Sequence, residues 1–111
     1  MAASEITIQP ISRSGLTPSY EAANADGNYF ANSGNEFFHV KNGDSSPHTV
    51  TIQTPNTVDG LEIADRVVTV PATSEKMIGP FPAGTYNDGS GNVNLSYDDI
   101  TSMTIAVLVS A

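Results

Sequence analysis

The stretch from Glu36 to Thr54, EFFHVKNGDSSPHTVTIQT, decides how the chain is read. In its first half, residues 36–42, Phe38 and Val40 fall on one face while Phe37, His39 and Lys41 take the other. In its second half, residues 48–54, Val50 and Ile52 alternate with Thr49, Thr51 and Gln53. A period of two is what a strand with one dry and one wet face requires. Asn42-Gly43-Asp44 lies between the halves, and Gly and Asn accept the positive φ of a tight turn. If these two strands form a hairpin, His39 and His48 lie near one end of it.

The same rhythm continues outward in both directions. Residues 6–12, ITIQPIS, alternate until Pro10, which lacks an N–H and marks an edge strand or a bulge. Short apolar runs follow at 28–32, 66–71, 75–81 and 91–97. Residues 102–110, SMTIAVLVS, are apolar almost continuously, as in a central strand buried on both faces. Turn signals such as Asn24-Ala25-Asp26-Gly27, Asp59-Gly60 and Asn87-Asp88-Gly89 separate the runs. About seven or eight short strands at this spacing predict an all-β antiparallel sandwich, jelly-roll or immunoglobulin-like. The one helical candidate, residues 19–25, reads as a loop with a helical turn. Residues 1–111 form one domain, with residues 1–5 a flexible or assembly arm.

Composition narrows the function. The 111 residues carry 12 acidic and 4 basic side chains, a net charge of −8. The bases Arg13, Lys41, Arg66 and Lys76 are scattered, which argues against nucleic acid and against anionic lipid. Cys is absent, so disulfides and thiolate metal sites are excluded. No apolar run approaches the ~20 residues of a membrane span. The start, MAASEITIQPIS, lacks a signal peptide's basic and apolar regions, so the chain reads as made in the cytoplasm.

Candidate chemistry is thin. Zinc asks for three or four ligands. Two imidazoles, even with Asp44, read instead as half-exposed polar side chains without a metal. Asp26-Gly27-Asn28 and Asn87-Asp88-Gly89-Ser90 offer oxygens but lack the ligand rhythm of a calcium loop, and read as solvated turns. Asp98 and Asp99 are adjacent, so on a strand they would face opposite sides rather than form a catalytic pair. There is no nucleophile elbow and no glycine-rich phosphate loop. The expectation is a protein without catalytic residues or cofactor.

Three segments carry a resemblance: GLTPSYEAANADG (15–27); FANSGNEFFHVKN (30–42) with TVTI (49–52) and TP (54–55); and VTVPA (68–72) with IGPF (78–81) and YN (86–87). Together they resemble small virion structural proteins of tailed bacteriophages. That resemblance implies a capsid decoration or cement protein, bound to the major capsid protein on the outside of the shell, often as a trimer, and so located in the virion. A cement protein works by binding the assembled state. Its contacts are expected at Ile6, Ile8 and Ile11, at Tyr20, Tyr29 and Phe30, and at Phe81 and Tyr86. The competing reading of the aromatics is that they cap the sandwich ends. Rival functions are a tail component and a small carbohydrate-binding sandwich; the latter calls for exposed aromatics on a flat face, and Trp is absent.

Overall fold

The computed structural model describes residues 3–110. Eight strands of four residues or more carry the fold. They are β2 (Ile8–Ile11), β4 (Asn28–Ala31), β5 (Glu36–Asn42), β6 (His48–Ile52), β9 (Arg66–Val70), β10 (Ser74–Ile78), β11 (Asn92–Tyr97) and β12 (Met103–Ser110). Four two-residue strands join them: β1 (Ser4–Glu5), β3 (Glu21–Ala22), β7 (Thr57–Val58) and β8 (Leu61–Glu62). The first sheet runs β1-β4-β11-β6-β9. The second runs β10-β5-β12-β2, with β3 also on β12.

The period-two pattern becomes burial. In β6, His48, Val50 and Ile52 are buried and the threonines between them are not. Their inward row meets Phe38 and Val40 of β5, Ile105 and Val107 of β12, and Phe30, Val93 and Leu95 in one core. β12 lies at the centre of its sheet, between β5 and the β2–β3 edge. Ala106 and Leu108, on its outer side, are buried as well. Pro10 sits in edge strand β2, where its missing N–H costs no ladder bond.

Residues 36–42 and 48–54 are not a hairpin. β5 pairs with β10 and β12, whereas β6 pairs with β9 and β11. Both strands carry an apolar pair at the middle of the inner row, Phe38 and Val40 in β5 and Val50 and Ile52 in β6. Placing them on opposite sheets lets those rows bury each other, which neighbours in one sheet cannot do. Among the eight longer strands, every successive pair changes sheet except β6 and β9. That is the winding of a jelly roll. An immunoglobulin sandwich keeps several successive strands together in one sheet.

The sheets are mixed rather than purely antiparallel: β1 runs parallel to β4, and β2 parallel to β12. The cause is the N-terminal segment. It leaves the first sheet after Glu5 and buries Ile6, whose N–H donates to Tyr29 O at 2.8 Å. It then joins the second sheet. Residues 4 and 5 are therefore part of a sheet and not a free arm; Met1 and Ala2 lie outside the described residues. The region 19–25 holds β3 instead of a helical turn. The single turn of helix, α1 (Ala83–Tyr86), follows Pro82 instead.

Candidate functional site

The outer face of the second sheet is not wet around His39. Tyr20 covers it, and Gln9 ties the chain down beside it by accepting from Ser19 N–H (2.8 Å) and donating to Ser19 O (2.7 Å). The Tyr20 ring then meets the His39 ring edge-on at 5.2 Å, with Lys41 Nζ 4.0 Å from the Tyr20 centroid. Nδ1 shares a hydrogen bond with the Tyr20 hydroxyl (2.6 Å), and Nε2–H donates to Glu75 Oε1 (2.9 Å). His39 is only 4% exposed, so the half-exposed reading is corrected. Hydroxyl, both ring nitrogens and carboxylate are all spent on bracing Tyr20, β5 and β10 together.

His48 belongs to a different network and is also buried, on the inner row of the first sheet. Its Nε2 lies 3.0 Å from Asp44 Oδ2. Asp99 brings a third donor atom, all three within 4.8 Å of one another. These are the side chains that could hold a divalent cation at this end. Asp99 also closes its own turn by accepting from Thr101 N–H and Oγ1–H. Those bonds, then the nearby His48, hold its carboxyl below the usual carboxylate range. Asp88 is occupied too. It accepts from Asn94 Nδ2 and from the amides of Asn92 and Ser90, and these bonds lower its carboxyl in that order. The turn at 87–90 is thus closed by its own side chain.

A surface of another kind lies at the β9–β10 edge. In the first sheet the inward row Leu95–Ile52 ends in Arg66. In the second, the inward row Ile105–Val40 ends in Lys76. Both cations therefore flank the opening between the sheets. They line a groove of about 350 Å³ with Val68, Ile78, Phe81 and Tyr86. Inward-facing charge on an edge strand discourages indiscriminate edge pairing. The outward positions Val67 and Met77 are apolar and 57% and 62% exposed. Beside Met77 a second hollow of about 370 Å³, lined by Phe37, Ile78 and Pro80, continues the apolar surface.

The structure divides the expected contact residues. Ile6, Phe30 and Phe81 are core residues, and their side chains do not reach a partner on the folded chain. Phe81 packs between Phe30 (5.8 Å) and Tyr86 (5.4 Å) and seals one end of the sandwich, as the capping reading has it. Ile8, Tyr20, Tyr29 and Tyr86 are half-buried, and Tyr86 lines the groove. Ile11 is exposed on β2, at the opposite edge of the molecule. Arg66, Val67, Lys76 and Met77 were not among the expected contacts. A signal existed: with Val68 and Val70 inward, Val67 is an apolar residue on the wet side and Arg66 a charge on the dry side.

Among the described residues no helix is long and apolar enough to cross a membrane. Compared with models of known families, with curated proteins and with solved structures, the chain matches none of them.

Proposed function

We propose that this chain is a non-enzymatic structural protein of a tailed-phage virion, which binds the outer surface of the capsid and cements it. The observation that carries the reading is the β9–β10 edge, with exposed Val67 and Met77 beside a groove that holds Arg66 and Lys76. A rigid sandwich whose open edge carries exposed apolar side chains on either side of a charged groove is suited to docking on another protein. The sequence resemblance points to the same class, and jelly rolls recur in viral capsid proteins, an analogy at the level of fold. The partners are the major capsid protein and further copies of this chain.

The test is co-sedimentation of the purified protein with empty phage heads and, separately, with tails. Binding to heads that saturates at a fixed number of copies, and slows their heat disruption, is the expected result. Binding to tails alone would assign it to the tail. Retention on a polysaccharide column without binding to either would replace the reading with a carbohydrate-binding module, a role jelly rolls also fill.

A further inference from the structure

The chain has few cations, and half of them line one groove. Apart from Arg66 and Lys76, only Arg13 and Lys41 stand against 12 acidic residues. Among the described residues neither Arg66 nor Lys76 takes part in an ion pair. With so many carboxylates in the chain, an unpaired pair of cations at one opening calls for a carboxylate from elsewhere.

The opposite edge supplies one in register. The inward row of the second sheet reads Lys76–Val40–Ile105–Glu21, from one edge strand to the other. It begins in a cation and ends in an anion. In the first sheet the row that starts at Arg66 runs through Ile52, Leu95 and Asn28 to Ser4, and Glu5, the next residue of β1, lies on the outward side of that edge, exposed like Glu21. Exposed Ile11 lies on that side, opposite Val67 and Met77. Each edge thus offers apolar side chains with charge, cationic in the groove of one and anionic at the other; Glu75, on the outward side of β10, is engaged by His39. We propose that copies of this chain join head to tail, the β9–β10 edge of one against the β1–β3 edge of the next, with Arg66 and Lys76 facing Glu5 and Glu21. Groove against groove would bring four cations together, so the contact is heterologous, and it closes into a ring where the rotation allows. This names the surfaces behind the self-association in the functional reading above and rests on that part of it.

The experiment is light scattering on the purified chain alone, with circular dichroism to show that each variant is folded. The wild type is expected as an oligomer whose dissociation constant rises roughly tenfold or more between about 0.05 M and about 1 M salt. R66E/K76E and E5K/E21K should each be monomeric, and mixing the two should restore association, since each supplies the charge the other has lost. A monomeric wild type at low salt overturns the proposal, as does an oligomer indifferent to both variants. A monomer that still binds phage heads would sink this inference while leaving the capsid reading intact. An oligomer that ignores heads and tails would do the reverse.

Discussion

Asn28 is 1% exposed, and every hydrogen-bonding position of its amide is used. Nδ2 donates to Ser4 O and Ser4 Oγ, while Oδ1 accepts from Asn24 N–H and Tyr97 O–H. Burial, and secondarily the charge of Glu21, push the Tyr97 hydroxyl well above its usual range, so it remains a donor. Asn28→Ala strands that donor and empties the amide's place, at a cost of about 2–3 kcal/mol in denaturant titration. Val107 is fully buried between Phe38 and Ile8 on its neighbouring strands. Val107→Asp places an unpaired charge there, and a loss of about 4 kcal/mol or more, read as an insoluble or unfolded product, is expected. The apolar core was legible residue by residue, because alternation alone sorts Val50 from Thr51. The polar core was not. Asn28 and Tyr97 are 69 positions apart, and asparagine in a turn-rich stretch looks the same in sequence whether it faces water or the interior.

At the level of elements, β5 occupies the residues expected of it, and β11 and β12 begin within one residue of expectation. Their partners were another matter. A period of two says which side chains turn inward but not which sheet a strand joins, and a five-residue connection can turn a hairpin or cross the sandwich. β3 was hidden because two residues carry no period, and β1 because its pairing is parallel and remote. Deletion of residues 1–5 removes β1 and both Ser4 acceptors of the Asn28 amide. The truncated chain should fold but lose about 1–3 kcal/mol, measured as a lowered denaturation midpoint. An unchanged midpoint would mean that β1 contributes nothing. The turn before β5 contributes to the pH dependence, as do the Asp88 and Asp99 turns. Burial would raise the Glu36 carboxyl, but the Ser33 N–H and Oγ–H, with the amides of Asn35 and Glu36, outweigh it and hold it below its ordinary 4.5. A carboxyl lowered by folding stabilises fully above 4.5 and loses that contribution as pH falls through its folded value. Glu36→Gln should therefore flatten the acid side of the stability profile and lower stability at neutral pH.

The whole molecule is a jelly roll with two unlike edges. One presents Arg66, Lys76, Val67 and Met77; the other presents Glu5, Glu21 and Ile11. Pro10 marked residues 6–12 as an edge strand or a bulge, and Ile11 does lie exposed on an edge. Two aromatics expected as contacts, Phe30 and Phe81, are used by the fold as core, because large apolar side chains at strand ends serve equally as caps or contacts. The β9–β10 edge was not legible in the sequence, because the two strands that form it lie in different sheets and only the fold sets Arg66 beside Lys76. Amide hydrogen exchange of the protein, as a dilute monomer at high salt and bound to phage heads, tests the central claim that this sandwich works by docking through its edges. New protection on binding is predicted in residues 66–81 and in the N-terminal strands, with β12 already protected in the free chain. Protection that appears only around Asp44, His48 and Asp99, or nowhere, would contradict it.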